Sequence, residues 1–558
     1  MSSPPTHDGV LSSPRRSYRR AVEEFDLAAA SAFLAMDEEG RMNAAEVCCD
    51  RHASVPGRIA LTHRSTSGQR RDWSYSELKR RSSQFAHVLR GLGVGPGDRV
   101  AGLLPRTPEL LIVILATWRL GAVYQPLFTA FGPKAIEHRI ELAKTRVIVC
   151  DQTNRAKLSG IENVPVIGIG ATNAAEDFWA LTECQAEMFE PVACGADDPF
   201  LMMFTSGTTG LPKPMLVPIR AIAAFVAYMR DAVGLEPTER FWNLADPGWA
   251  YGLYYAVTGP LAMGASTIFH QDGFTVDSTY DTIIEYGVTN LAGSPTAYRM
   301  LVGGGSEKAA RVRGQLRAVS SAGEPLNPEI IRWFDRHLQA PIRDHYGQTE
   351  VGMVLCNHHA FDHPVRIGSA GYPSPGYRIA VLSPDGRELG IGEAGELALD
   401  VTASPMMWFG GYHERDTPSL QGSYYLSGDT VEWNDDGSIS FVGRADDVIT
   451  TSGYRVGPFD VESALIEHEA VLESAVIGKP DPQRTEIIKA FVVLNAGFEP
   501  DSELAEALRR HVKTRLSAHA YPREIEFVAD LPKTPSGKLQ RFLLRANEAA
   551  AAPTSNSS

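Results

Sequence analysis

A chain of 558 residues is too long for one small core and has room for several domain-sized units, or for one large body with a smaller companion. Hydrophobic content of 44% and charged content of 22% are those of an ordinary globular protein. A net charge of −14, from 53 basic and 67 acidic residues, argues against a general nucleic-acid or membrane-surface binder but leaves anionic small molecules open, since these need only local cations.

At the N-terminus the pairs Arg15-Arg16 and Arg19-Arg20 are followed by Glu23, Glu24 and Asp26 and not by an apolar segment, so residues 1–25 read as a disordered tail and not as an export signal. Asp26 to Asp50 has helical spacing. Arg58 to Thr62 and Arg71 to Tyr75 read as strands, and Ser76 to Leu92 as an amphipathic helix opened by Ser76 and Glu77. The glycines from Gly91 to Gly97 superficially resemble a dinucleotide fingerprint, but they follow a helix and precede a strand, Arg99 to Leu104, which makes them a helix stop and turn. The longest apolar run, Leu110 to Trp118 broken by Thr117, is far shorter than the ~20 residues of a membrane span. A helix over Leu110 to Leu120, a strand at Val123, a helix over Lys134 to Leu142 and a strand over Val147 to Cys150 imply parallel strands with crossover helices. Two more such rounds lie between Phe241 and Val319. Short strands follow at Ala394 to Val401, Ser423 to Leu426, Thr430 to Trp433 and Ser438 to Val442.

Beyond Asp446 the texture is that of a compact α+β unit. It has a helix over Pro458 to His468, strands over Val471 to Ile477 and Ile487 to Leu494, and a helix over Ser502 to Leu516 buried through Leu504, Leu508, Val512 and Leu516. The expected organisation is α/β: a large body over residues 26–445 with mixed sheets and a small β-rich part, a small mobile domain over 446–545, and a second disordered tail over 546–558. Six cysteines, Cys48, Cys49, Cys150, Cys184, Cys194 and Cys356, lack a framework spacing and fit a reduced, cytoplasmic compartment.

The stretch around which the rest is organised is Phe204-Thr205-Ser206-Gly207-Thr208-Thr209-Gly210-Leu211-Pro212-Lys213. Glycine frees backbone amides to converge on one anion, hydroxyls add donors, and Lys213 adds charge, a chemistry suited to a polyphosphate. It is not a Walker A loop, because Pro212 stands where the second glycine belongs and Pro214 follows the lysine. The same composition would also suit a plain surface loop.

Five further stretches stand in a fixed order: Ser321-Ala322-Gly323-Glu324-Pro325, Tyr346-Gly347-Gln348-Thr349-Glu350, Ser427-Gly428-Asp429, Gly443-Arg444-Ala445-Asp446-Asp447 with Gly453-Tyr454-Arg455, and Pro532 to Arg541 around Lys538. Together with the phosphate loop they resemble the core motifs of the adenylate-forming superfamily, over about residues 45 to 545. Within it, Trp242 to Tyr255 and Gly443 to Val461 resemble the short- and medium-chain acyl-CoA synthetases. The resemblance implies two half-reactions with ATP, Mg²⁺ and coenzyme A: a carboxylate attacks the α-phosphorus of ATP to give an acyl-adenylate and pyrophosphate, and the thiol of coenzyme A then displaces AMP.

By the same resemblance Thr205, Ser206, Gly207, Thr208, Thr209, Gly210 and Lys213 wrap the β- and γ-phosphates. Glu350 holds Mg²⁺ and Thr349 donates to the α-phosphate. Gly323, Glu324 and Pro325 line the adenine, whose amino group Asp344 accepts, and Tyr346, Gly347 and Gln348 complete that wall. Asp429 takes the ribose hydroxyls with Arg444 beside it. Lys538 bridges the carboxylate and the α-phosphate as charge builds. Asp446 is the hinge on which the small domain swivels, and Gly453, Tyr454 and Arg455 border the coenzyme A passage. The acyl pocket is expected from Trp249, Ala250, Tyr251, Gly252, Ala322 and Gly347. Strict acetate enzymes place a tryptophan where Gly347 stands, so its absence points to acids longer than acetate. Lys538 is also a candidate for regulation by a lysine acetyltransferase and deacetylase.

Other readings stay open: an amino-acid- or aryl-acid-adenylating enzyme that loads a carrier protein, with Asp246 binding the amine; a luciferase-like oxygenase; and a catalytically inactive nucleotide-binding regulator. Cys356, His358, His359 and His363 contain zinc-ligand types, but their spacing matches no established zinc site.

Overall fold

The computed structural model describes residues 15–34, 37, 39–171, 173, 175–205, 212–444, 447–451, 454–481, 484–516, 520–533 and 539–551. The body is built on two six-stranded sheets. The first contains β1 (Arg99–Leu103), β2 (Val123–Pro126), β3 (Val147–Asp151), β4 (Val166–Ile169), β5 (Pro199–Thr205) and β6 (Lys213–Pro218), in the order β6-β5-β2-β1-β3-β4. Its strands are parallel except β6, which runs antiparallel to β5. The second contains β7 (Phe241–Asn243), β8 (Asn290–Gly293), β9 (Ala318–Ala322), β10 (Ile342–Gln348), β11 (Gly352–Cys356) and β12 (Tyr372–Pro373), in that order, parallel as far as β10. The expected α/β class with crossover helices is what the chain adopts.

Helix α1 (Tyr75–Gly91) is capped by Ser74, whose hydroxyl accepts from the Glu77 amide, two residues before the expected Ser76. It ends where Gly93 takes φ +79° and Gly97 φ +76°, the turn expected there. Helix α2 (Pro108–Arg119) is apolar all round because it is buried all round: Leu111 to Ala116 have no exposed surface. None of the described helices is long and apolar enough to cross a membrane.

Several expectations need correction. Asp26 to Asp50 is not one helix: Gly40 at φ +75° and the Asn43 cap divide it into helices Leu27–Ser31 and Ala44–Cys48 with a short strand, Arg41–Met42, between them. Residues 16–23 of the expected N-terminal tail carry a short strand and a helix, Tyr18–Glu23. Arg16–Ser17 pairs with Phe361–Asp362, Arg16 bridges to the buried Asp231, and the Tyr18 hydroxyl donates to the Pro373 carbonyl at 2.8 Å. The C-terminal segment forms a helix, Arg541–Ala551, with Glu548 paired to Lys479 at 2.9 Å. Leu516 is 39% exposed, because the preceding helix, Ser502–Arg515, stops before it and is buried through Ala505, Leu508 and Val512.

The β-rich part is a five-stranded sheet of β13 (Ile379–Leu382), β14 (Ala394–Asp400), β15 (Leu420–Gln421), β16 (Tyr424–Trp433) and β17 (Ile439–Arg444). The two strands expected at 423–426 and 430–433 are one, β16, because Gly428 at φ +73° bends it without ending it. The C-terminal sheet contains β18 (Ile449–Thr451), β19 (Tyr454–Val456), β20 (Val471–Asp481), β21 (Thr485–Leu494) and β22 (Glu524–Phe527). It has its own core of Val461, Leu465, Val476, Val492, Leu508 and Val512.

Candidate active site

The C-terminal ends of β5, β9 and β10 and the bend of β16 carry the expected motifs. The expected phosphate loop joins the hairpin β5–β6, with Thr205 and Lys213 as facing partners; Ser206, Gly207, Thr208, Thr209 and Gly210 lie outside the described residues. Sequence reasoning missed strand β6, whose prolines, Pro214 and Pro218, disguise it.

Glu350 follows the β10 turn and is 8% exposed. Its Oε1 accepts from the Tyr412 hydroxyl at 2.9 Å, and the Thr205 hydroxyl also hydrogen-bonds it. Burial raises its carboxyl above the ordinary glutamate range, opposed by these hydrogen bonds and by the Lys213 charge. Lys213 Nζ lies 4.7 Å from the centre of the Tyr412 ring. Tyr412 therefore joins the carboxylate and the ammonium flanking the phosphate loop. Sequence reasoning missed it.

On the other side Asp429, on β16, is 4% exposed. It accepts from the Tyr346 hydroxyl and from Gln348 Nε2 at 2.9 Å, and Arg444 faces it across the β16–β17 pair at 3.4 Å. Gln348 Oε1 in turn accepts from the Tyr425 hydroxyl at 2.7 Å. Three of the expected motifs thus meet in one network. Register pairs Ser321 with Asp344, setting Gly323, Glu324 and Pro325 beside that aspartate. Gly323 takes φ +101° with open space where a side chain would stand, and Glu324 Oε2 accepts from Thr296 at 2.8 Å. Asp344 Oδ1 is buried with no hydrogen-bond partner, and desolvation holds this carboxyl well above the usual range. The Thr349 carbonyl accepts from the Tyr254 hydroxyl at 3.1 Å.

The expected acyl wall divides in two. The Trp249 ring turns toward Phe128 and Phe131, at 5.4 and 5.3 Å between ring centres. Ala250 and Gly252 lie in a short helix folded onto Asp246, where a Cβ on Gly252 would meet the Asp246 carbonyl oxygen at 2.2 Å. Asp246 itself accepts from the Gly248 amide at 2.8 Å and lies 3.6 Å from Arg106. The Tyr251 hydroxyl is 3.3 Å from that of Tyr228, a residue the motifs did not flag, and Ala322 is buried at the end of β9. The reading of Gly347 needs correction. A Cβ there would lie 2.1 Å from the Gly352 carbonyl oxygen and 2.7 Å from Met353 Cα. The β10–β11 backbone fills the direction a side chain would take, so Gly347 serves strand packing and is no measure of pocket length.

Asp446, Gly453 and Lys538 lie outside the described residues, as do the side chains of Tyr454 and Arg455, whose backbone forms β19 with Val456. On either side of Lys538, Lys533 and Leu539 form an antiparallel bridge, and the Gln540 amide donates to the Pro532 carbonyl at 2.9 Å. Lys533 pairs with Glu473 at 2.6 Å, and Glu473 with Arg299 at 3.5 Å. Arg299 shares a helix, Pro295–Gly303, with Thr296, the partner of Glu324. Asp447, next to the expected hinge, pairs with Arg541 and Arg545 on the terminal helix.

The histidines considered for zinc are engaged otherwise. His359 Nε2 lies 3.1 Å from the Val319 carbonyl, His363 Nδ1 2.6 Å from that of Pro364, and His358 packs under Tyr18; burial holds all three imidazoles below the ordinary range. Among the described residues no three metal-ligating side chains converge.

A profile of the AMP-binding enzymes matches residues 49–412, and one of the AMP-binding enzyme C-terminal domain matches residues 460–538. The chain belongs to the AMP-binding enzyme family. It is 38% identical over 547 residues to the acetyl-coenzyme A synthetase of Bacillus subtilis, covering 96% of this chain and 95% of that protein. Among solved structures, the acyl-CoA synthetase of Brucella canis is 57% identical with a TM-score of 0.78, covering 96% of this chain and 99% of the other. The benzoate CoA ligase of Burkholderia xenovorans is 29% identical with a TM-score of 0.80, covering 90% and 100%.

Proposed function

We infer that the protein is an AMP-forming acyl-CoA synthetase, an acid–thiol ligase that uses ATP to activate a short- to medium-chain carboxylic acid and passes the acyl group to coenzyme A. The observation that carries this reading is the meeting of two clusters, Thr205–Lys213–Glu350 around Tyr412 and Asp429–Arg444 around Gln348, at one end of the sheets.

In the first half-reaction a carboxylate oxygen bonds to the α-phosphorus while its bond to the bridging oxygen breaks, and pyrophosphate leaves. No protein nucleophile is required. The chain has to neutralise two anions and align them. Lys213 and the hydroxyls of 205–209 hold the terminal phosphates, Thr349 the α-phosphate, Asp429 and Arg444 the ribose, and Gly323 to Pro325 with Asp344 the adenine. The orphaned Asp344 Oδ1 is an acceptor suited to the adenine amino group. Lys538 supplies the charge between carboxylate and α-phosphate. Glu350, with Thr205 beside it, fits Mg²⁺, a hard cation that takes one or two carboxylates and completes its shell with phosphate and water. When bound, the ion neutralises phosphate charge.

In the second half-reaction the thiol of coenzyme A loses its proton, its sulfur bonds to the acyl carbon, and AMP leaves. A small domain over 446–545, turning at Asp446 against a body over 26–445, brings Gly453, Tyr454 and Arg455 to the thiol's passage. The buried thiols fit a cytoplasmic setting, and acetylation of Lys538 would silence the first half-reaction. The half-reactions provide the test: Lys538→Ala should abolish acyl-adenylate formation yet still convert preformed adenylate to thioester. Equal loss of both would contradict the assignment.

A further inference from the structure

Beside Tyr251 runs a chain of hydrogen bonds whose proton directions are fixed by its far end. His345 is 2% exposed, and desolvation pushes its imidazole down to about 3, so the ring is neutral and carries one proton. Its Nε2 lies 3.3 Å from the Asn357 carbonyl oxygen, which can only accept. The proton therefore sits on Nε2, and Nδ1 is an acceptor. The Tyr228 hydroxyl, 2.8 Å from Nδ1 and itself 4% exposed, must donate to it. With its hydrogen spent, Tyr228 can only accept from the Tyr251 hydroxyl at 3.3 Å. Tyr251 thus spends its own hydrogen inward. Of the three rings it alone is half-buried, and its hydroxyl presents lone pairs alone.

We propose that the relay Tyr251–Tyr228–His345–Asn357 makes this end of the acyl pocket acceptor-only, so that the enzyme favours acids bearing a hydroxyl or amino hydrogen there over their oxo counterparts. This rests on the reading of Tyr251 as acyl wall. Tyr228 and His345 act through Tyr251 and are positioning residues. An oxo acid has no donor to meet unless Tyr251 turns its hydrogen outward and gives up the bond to Tyr228, a loss worth about tenfold in kcat/KM.

The test uses hydroxy and oxo acids paired at equal carbon number, such as 3-hydroxybutyrate with acetoacetate, 4-hydroxypentanoate with 4-oxopentanoate, and 5-hydroxyhexanoate with 5-oxohexanoate. The wild-type enzyme should favour the hydroxy member by about tenfold in the pair whose substituent reaches Tyr251. Tyr228→Phe frees the Tyr251 hydrogen to point outward, so kcat/KM for the oxo acid should rise and the ratio fall toward one. Tyr251→Phe removes the acceptor, so the ratio should fall because the hydroxy acid loses. A variant that merely loosened the fold would lower both members together. Ratios near one throughout in the wild type, or a ratio unchanged in the variants, would overturn the proposal. Absence of coenzyme A-dependent AMP formation with every acid would instead overturn the functional reading on which it rests.

Discussion

Burial opposes ionisation of Glu350. For a carboxyl raised by burial, the stability it contributes is fully present below the ordinary glutamate range and is lost as pH rises through its own higher pKa. Glu350→Gln should therefore raise the melting temperature of the ligand-free protein at neutral pH, with the gain vanishing toward pH 4, while pyrophosphate exchange falls by about a hundredfold or more. A variant that is less stable at pH 7 would contradict the sign. Gly347→Ala should lower stability by about 2–3 kcal/mol, measured by denaturant unfolding, because its Cβ would overlap the β11 backbone. A variant that folded normally and only shifted chain-length preference would restore the pocket reading. The charged residues of the site were legible because each sits in a motif with turn chemistry. Tyr412, Tyr228 and His345 were not: their partners Glu350 and His345 lie 62 and 117 positions away, and no local spacing marks such contacts.

At the scale of elements, periodicity recovered the strands and helices whose burial repeats along the chain, such as α1, α2 and β1 to β3. It failed where tertiary contacts do the ordering. The helix Tyr18–Glu23 buries no residue fully and reads as a polar tail, yet Tyr18 packs on Tyr372 and His358 and bonds to Pro373. Tyr18→Ala should cost about 1–2 kcal/mol, seen as a lower unfolding midpoint, whereas a true tail would tolerate it without change. The contact between the small unit and the body through Glu473 is a partly exposed ion-pair pair, worth at most about 1 kcal/mol. Glu473→Gln should therefore slow adenylation by no more than about fivefold and leave thioester formation from preformed adenylate intact.

For the molecule as a whole, one chain must serve two reactions in turn. A hinge needs only a residue whose φ and ψ can change, and Asp446 stands between β17 and Asp447, which the terminal helix grips through Arg541 and Arg545. Asp446→Pro should impair thioester formation far more than adenylation; a mild, equal loss would argue against the swivel. The order of the motifs implies this division of labour, whereas no motif records how β10, β11 and the Tyr251 turn pack. The most direct measurement of the central claim is product stoichiometry with ATP, Mg²⁺, coenzyme A and a panel of aliphatic and aryl acids. AMP, pyrophosphate and acyl-CoA should form in equal amounts, all dependent on the acid. ADP in place of AMP, or no pyrophosphate with any acid, would contradict it.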